Sequence, residues 1–507
     1  MQINVAEYWL DKIGIPEIGA KRAVIDDEGG ATFGELFQKS GALAMRLFDI
    51  VDVRRPVAVF LPKSVELIVA DMAIIYSGNA YNNLDTKQPP ERTRLIVEHI
   101  DPALVLTLTA LRDTLVESGI ADDKIFCIDE AMAGRYDLFA IRQRLSEIVD
   151  TDPLCIINTS GSTGVPKGVV MNHRSVIDFM AQALDALSLT GEEIIGSLSP
   201  AYFDIFTLEF FLTMAKQAVF VIIPDMVAAF PERLVSFVEE KHVNFIFWVP
   251  TIMVNIANMG ILDEHPLTEL QKVLYAGEVF PPKHLCRWME HLPMATFVNM
   301  YGPIEITVDC LYHIVALEEA RSGEVPIGKP FRNTKMLILN ERDEECVAGE
   351  PGELCIGGTS LAMGYYNDPE KTSKAFVQNP LNKTHLEIIY RTGDTVCQRA
   401  DGNVMFIGRK DFQVKHLGYR IELGEIEHVI VSLSFINNAA VLYDHERKKI
   451  ILVYEAKEGA SPRTIRQEAG RVLPKYMLPM EYQAVDDMPR NPNGKIDRVK
   501  LKEMFVK

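Results

Sequence analysis

The sequence predicts an α/β protein: a large N-terminal domain of parallel-sheet α/β subdomains plus a β-rich subdomain, then a small α+β C-terminal domain. Three observations carry this. In the first half, short and continuously apolar runs alternate with segments of helical period, as in parallel strands buried on both faces and joined by helices. After about residue 320 the segments shorten and glycine becomes frequent, as in 349–358. From about residue 411 a smaller unit begins, with its own helices and a hairpin pattern. A length of 507 residues is ample for two or more domains of ~150 residues each.

The elements follow in order. Residues 56–61 (P-V-A-V-F-L) read as a buried strand. Ser64 then offers an N-cap to a helix whose apolar face is Val65, Leu67, Ile68, Met72, Ile74 and Ile75, and Gly78 closes it. Residues 104–107 and 125–128 read as further strands, and 231–242 as a helix leading into a strand at 245–249. In the last part, 422–432 reads as a helix, and 439–443 with 450–455 as a hairpin around the polar turn 444–449. Ser461-Pro462 is an N-cap with proline at the first helical position, opening a helix to about residue 472. The tail from 485 to 507 is polar and basic and reads as a solvated face.

Composition excludes several classes of function. Lys plus Arg is 52 and Asp plus Glu is 70, a net charge of −18, which disfavours nucleic acid and anionic membranes as partners. Seven cysteines with no C-x-x-C read as free thiols of a reducing compartment. The first twelve residues lack an apolar signal core, and apolar runs such as 218–224 are too short to span a bilayer. A cytoplasmic protein is the expectation.

The most informative stretch is N-T-S-G-S-T-G-V-P-K-G at 158–168. It follows an apolar strand and packs three glycines, four hydroxyls and a lysine into eleven residues. Glycines let backbone N–H groups approach an anion, and hydroxyls add donors. The stretch suits a loop that holds phosphate, but it lacks the Walker A spacing.

These residues closely resemble the phosphate loop of adenylate-forming enzymes, the superfamily of acyl-CoA synthetases, luciferases and peptide-synthetase adenylation domains. Further motifs of similar type follow in order: Y-G-P-I-E at 301–305, G-E-L-C-I-G-G at 352–358, Y-R-T-G-D at 390–394, G-R-K-D-F-Q-V-K at 408–415, G-Y-R-I-E-L-G-E-I-E at 418–427, and N-G-K-I-D-R at 493–498. The resemblance covers essentially the whole chain. It implies an adenylation core over 1–410 and a mobile cap over 411–507, with a hinge at Asp411. The implied reaction joins a carboxylate to the α-phosphate of ATP, releases pyrophosphate, and passes the acyl group to a thiol.

The resemblance also implies residue roles. Thr159, Ser160, Gly161, Ser162, Thr163, Gly164 and Lys167 would hold the phosphates. Gly277, Glu278, Asn299, Met300, Tyr301 and Gly302 would border the nucleotide, with Tyr301 stacked on adenine. Asp394 would accept the ribose hydroxyls, with Arg409 beside ribose and phosphate. Glu305 would bind Mg²⁺, since Mg²⁺ on phosphates needs few protein carboxylates. Lys495 would be the catalytic cation, bridging the two reacting anions as a point charge. Gly418 would line the tunnel of the thiol. One position departs from the pattern: Ile304 stands where the family usually has a phosphate-binding threonine, a loss on the order of 3 kcal/mol in transition-state stabilisation.

Phe203-Asp204 falls where amino-acid-activating members carry Phe-Asp, so Asp204 is expected to pair with a substrate α-ammonium. It also reads as the cap of a helix over 205–214. The other pocket positions implied are Ile205, Leu208, Phe247, Leu274, Ala276, Met300 and Val308, all apolar, with no second carboxylate among them. They predict a compact apolar side chain. The combination resembles that of stand-alone ligases that load L-proline, and the Gly277-Glu278-Val279 segment with the overall size resembles D-alanine–carrier protein ligases, the runner-up. The chain stops nine residues after Arg498 and holds no carrier segment, so the expected thiol is the phosphopantetheine of a carrier protein supplied in trans. An acyl-CoA ligase and a non-catalytic nucleotide-binding protein are the competing readings.

Overall fold

The computed structural model describes residues 2–27, 29–161, 166–410, 413–456, 460–490 and 496–506. Three sheets build the large domain. The first has six strands in the order Ile125–Cys127, Val105–Thr107, Pro56–Val59, Ala80–Asn83, Pro153–Thr159 and Lys167–Asn172. All are parallel except the last, which folds back on its neighbour. The second has nine strands with six in parallel at its centre, including Phe245–Trp248, Lys272–Tyr275 and Thr296–Tyr301. The third is antiparallel and holds Pro351–Gly358, Ile388–Gln398 and Val404–Arg409. The expected division into parallel and β-rich parts is what the chain adopts.

Helices Val65–Tyr76 and Ile205–Lys216 belong to the core shared by the two parallel sheets. Each is apolar around most of its circumference because each is covered on nearly all sides. Glu66 alone of the first helix escapes burial. Ser64 caps it as expected, its Oγ accepting from the Leu67 N–H at 3.4 Å. The strands at 56–59, 105–107, 125–127 and 245–248 and the helix Pro231–Glu240 fall within the expected runs. Among the described residues no helix is long and apolar enough to cross a membrane.

The C-terminal part opens with the hairpin Gln413–His416 and Tyr419–Glu422, then helix Leu423–Val431. A three-stranded sheet follows, formed by Ile436–Asp444, Lys449–Ala456 and Glu481–Ala484. Two expectations are corrected here. The helix after Ser461 ends at Ala469, three residues early, because Gly470 takes the cap. The tail is not simply a solvated face: Arg498–Phe505 is a helix whose Leu501 is fully buried on the sheet beside Leu442 and Val453. Leu501 and Phe505 lie one helical turn apart and supply that contact.

The site follows from this topology. Ligands of open α/β sheets bind beyond the carboxyl ends of the strands. Here the ends of 153–159, 245–248, 272–275 and 296–301 lead into Ser160, Val249, Ala276 and Gly302, and all four line one cavity.

The N-terminal segment is tied to the buried helix by one hydrogen bond, Trp9 Nε1 donating to the Tyr76 hydroxyl at 2.6 Å, with both side chains fully buried. Tyr76→Phe leaves that N–H without an acceptor and is expected to lower the unfolding free energy by about 1–3 kcal/mol in urea titrations.

Candidate active site

The phosphate-loop stretch joins the antiparallel strands 153–159 and 167–172, with Thr159 opposite Lys167. Ser162, Thr163 and Gly164 lie outside the described residues. The donors beside them are engaged by the C-terminal domain. Ser160 Oγ donates to the Arg420 carbonyl at 2.9 Å and accepts from the Glu422 N–H at 3.1 Å. The Gly161 N–H donates to Glu425 Oε2 at 2.9 Å, so a carboxylate stands where the loop is expected to receive an anion. Glu425 is fully buried and closes a 2.6 Å ion pair with Arg92 of the large domain.

Glu305, completely buried, is the centre of a charge nest. Its Oε1 accepts from the Tyr365 hydroxyl at 2.9 Å and lies 3.5 Å from Lys167 Nζ. Its Oε2 accepts from Arg420 Nη1 at 2.7 Å. Burial alone would push its pKa up, but Arg420 and Lys167 outweigh burial and hold the carboxyl well below its ordinary range. An ionised carboxylate beside a phosphate loop fits Mg²⁺ shared with phosphate oxygens. Among the described residues no group of three His, Cys, Asp or Glu could hold an ion without them. In the arrangement seen here the Arg420 guanidinium occupies that carboxylate.

On the side expected to take the nucleotide, a cavity of about 590 Å³ is bordered by Gly277, Glu278, Asn299, Met300, Tyr301 and Gly302. Asp394, paired in register with Arg409 across two strands, bonds its guanidinium with one oxygen and the Tyr301 hydroxyl with the other. Asn299 donates to the Pro326 carbonyl at 2.7 Å. Glu278 accepts from Thr251 and, at 2.8 Å, from the Gly418 N–H. Gly302 tolerates no side chain, since a Cβ there would stand 2.4 Å from the Asp309 Cα. Ile304 lies in the short helical turn after Gly302 and borders the adjoining cavity.

That adjoining cavity holds Asp204 at the start of helix Ile205–Lys216, where its carboxylate accepts from the Ile205 N–H at 2.9 Å. Cap and cavity residue are one side chain. Burial raises its pKa, and Lys415 opposes the rise. Ile205, Ala276 and Val308 share the wall. Leu208, Phe247 and Leu274 are wholly buried in the core behind it, and Met300 faces the nucleotide side. The expectation of a single carboxylate is overturned: Asp309, 2% exposed, lines the same cavity. Lys415 reaches the cavity from the C-terminal hairpin, its side chain open to the cavity space yet enclosed by protein. Burial lowers its pKa, and Asp394, Asp204 and Asp309 oppose the fall.

Gly418 holds a left-handed φ of +83°, and a Cβ there would meet Val249 Cγ2 at 3.0 Å. Lys495 and Asp411 lie outside the described residues. Sequence reasoning gave no role to Arg92, Asp309, Lys415, Arg420 or Glu425. The last three lie inside the quoted motifs, so their charge was visible but not their partners. Asp309 could have been noticed as the one acid in the apolar run I-T-V-D-C.

Glu425→Ala removes the counter-charge of buried Arg92, a local loss of about 3–5 kcal/mol if the arrangement stays closed. Undocking relieves that cost, so hydrogen exchange at the Gly161 amide is expected to accelerate in the variant while exchange in the 56–59 and 105–107 strands is unchanged.

Residues 17–366 match the family described as AMP-binding enzyme, and 425–495 match its C-terminal domain. The chain is similar to zwittermicin A synthase ZmaJ of Bacillus cereus, 32% identical over 491 residues that cover 94% of this chain and 90% of the relative. It is 31% identical to gramicidin S synthase 1 of Brevibacillus brevis, covering 95% of this chain but 43% of that longer protein. Among solved structures, a four-domain nonribosomal peptide synthetase, holo-AB3403, superposes with a TM-score of 0.71 at 28% identity, covering 99% of this chain and 36% of the other. With the phosphate hairpin, the Asp394–Arg409 pair and the docked C-terminal hairpin already in place, the chain belongs to the AMP-binding enzyme family of the adenylate-forming superfamily.

Proposed function

We propose that the protein activates an amino acid with ATP and passes it to the phosphopantetheine thiol of a carrier protein supplied in trans. The observation that carries this reading is the shared cavity of Asp204, Ser160, Tyr301 and Asp394. The proposed ammonium partner, a phosphate-loop donor and the proposed ribose carboxylate border one space. The similarity to peptide synthases and to a structure bound to AMP and glycine supports the same reading. An acid without an α-amine would leave the Asp204 carboxylate without an ammonium partner from the substrate, which disfavours acyl-CoA formation from a non-amino acid.

In the first half-reaction the substrate carboxylate oxygen attacks the α-phosphorus, and the bond to the β-phosphate oxygen breaks with pyrophosphate leaving. Both reactants are anions, so alignment and charge cancellation are the work of the protein. Asp204 holds the α-ammonium, Asp394 and Arg409 orient the ribose, and Lys167 faces the phosphates. Lys495 is the proposed bridging cation, carried by a cap of 411–507 that turns about Asp411 relative to the 1–410 core. Glu305 would hold Mg²⁺, which would neutralise phosphate charge. In the second half the thiolate attacks the acyl carbon and AMP leaves with the bonding pair. The docked arrangement suits that step: Gly418 borders the cavity, and Lys415 stands near the departing phosphate. Ile205, Ala276 and Val308 favour a compact side chain; the resemblance of the whole pocket set favours L-proline, and that of Gly277-Glu278-Val279 favours D-alanine. Asp309 speaks against a wholly apolar one.

Amino-acid-dependent ATP–pyrophosphate exchange tests the reading. Exchange is expected with at least one small amino acid, and Asp204→Ala is expected to reduce it about 100-fold or more. Exchange with benzoate or acetate instead would contradict it. Gly418→Leu fills the space against Val249 and is expected to cut thiol loading far more than exchange, measured on the same preparation.

A further inference from the structure

Asp204 and the phosphate loop belong to different sheets. Strand Ile194–Ser197, which leads toward Asp204, lies in the nine-stranded sheet, whereas strands 153–159 and 167–172 lie in the six-stranded one. A substrate held by its ammonium on Asp204 can meet a nucleotide held by the loop only if the segment 198–203, between strand and Asp204, keeps a fixed place against the other sheet. A misplacement of about 1 Å far from the chemistry can cost about 100-fold in rate.

Two donors from the six-stranded sheet hold that segment. Lys63 lies between strand Pro56–Val59 and the cap residue Ser64, and its side chain crosses to the other sheet. Its Nζ donates to the carbonyls of Ser197 at 2.8 Å and Ser199 at 2.9 Å, and to Ser197 Oγ at 3.3 Å. Asn83, the last residue of strand Ala80–Asn83, donates through Nδ2 to the Ala201 carbonyl at 3.3 Å and to Asp71 Oδ2 at 2.9 Å. It also borders the cavity that holds Asp204. Within the segment, the Phe203 N–H donates to the Pro200 carbonyl at 3.1 Å, closing a turn one residue before Asp204.

The charge that accompanies Lys63 comes from the helix Asp204 caps. Glu209, fully buried on that helix, accepts from Ser197 Oγ at 2.5 Å. Burial disfavours both charges, and each opposes the effect of burial on the other, with Asp225 also supporting Lys63. The three contacts of Nζ nevertheless all fall on residues 197–199, and Glu209 is reached through the Ser197 hydroxyl. The lysine is thus placed to hold backbone as well as to balance an acid.

We propose that Lys63 and Asn83 are positioning residues of the adenylation step: from the six-stranded sheet they hold the segment 198–203 and so set the place of Asp204 relative to the phosphate loop. They act through Asp204 and not on the reacting atoms. This inference rests on the adenylation reading.

The test separates the tether from the buried charge. Lys63→Met alone strands Glu209, so the informative variant is Lys63→Met/Glu209→Gln, which removes both charges and both carbonyl tethers of Lys63. Glu209→Gln alone keeps an acceptor for Ser197 and the donors of Lys63, and is expected to retain wild-type kinetics. ATP–pyrophosphate exchange is measured with the common amino acids and D-alanine, and the best substrate of the wild type is carried to the variants. The double variant is expected to raise KM for the amino acid and lower kcat, for a loss of about 10- to 100-fold in kcat/KM, with KM for ATP unchanged. Asn83→Ala is expected to move the same parameters in the same direction, and Lys63→Arg, which can still donate to both carbonyls, to restore most of the activity. Loss of folded protein alone lowers the rate without moving one KM.

Hydrogen exchange of the unliganded proteins gives a readout independent of activity. The Phe203 amide is expected to exchange faster in the double variant, and exchange in strands 105–107 and 272–275 to stay unchanged. Wild-type kinetics in the double variant, a lower rate with both KM values unmoved, or unchanged protection at Phe203 overturns the proposal. A wild type that exchanges pyrophosphate with no amino acid refutes the adenylation reading, and the Phe203 amide then decides by itself whether the tether exists.

Discussion

The docked arrangement depends on one buried charge nest. Glu305, from the turn after strand Thr296–Tyr301, is ionised only because Arg420 and Lys167 surround it. Each of these three charges alone would be costly to bury, and together they offset one another. Arg420 comes from the C-terminal hairpin, so the nest is complete only when that hairpin lies on the phosphate loop. Ser160, Gly161, Glu425 and Arg92 then close around it. The carboxylate suited to a Mg²⁺ ion is thus the one that receives the arginine of the C-terminal hairpin. The same oxygen cannot serve both at full strength, which gives the two halves of the proposed reaction different occupants for one group.

The large domain makes this nest possible by supplying rigid strand ends. One strand of the six-stranded sheet and three of the nine-stranded sheet end at the cavity, and the residues just beyond them line it. Helices covered on nearly every face hold the two sheets in register, so the loops are set by a close-packed core. Thr307 and Val308, two consecutive β-branched residues at left-handed φ, precede Asp309 on the cavity wall.

Much of this was legible in the sequence. Continuous apolar runs marked the strands at 56–59 and 245–248, and Ser64 marked the cap of the helix after the first. The order of the short motifs marked the phosphate hairpin and the Asp394–Arg409 pair. What the sequence withheld was pairing across long separations. Nothing in the run around Arg92 points to Glu425, and nothing near Glu305 points to Arg420. Asp309 was hidden for a different reason: an acid in an apolar run looks like a surface position until the backbone turns it inward. The tail misled in the opposite sense, because its charges are plain while one buried leucine, Leu501, decides where it packs.

The account turns on whether Arg420 holds the C-terminal domain on the phosphate loop. The direct measurement is the interdomain distance distribution between probes at two exposed positions, Phe139 in the large domain and Val499 in the C-terminal helix. In wild type a single short population is predicted, and in Arg420→Gln a broad shift to longer distances with the melting of the large domain unaltered. An identical distribution in the two proteins would contradict the account.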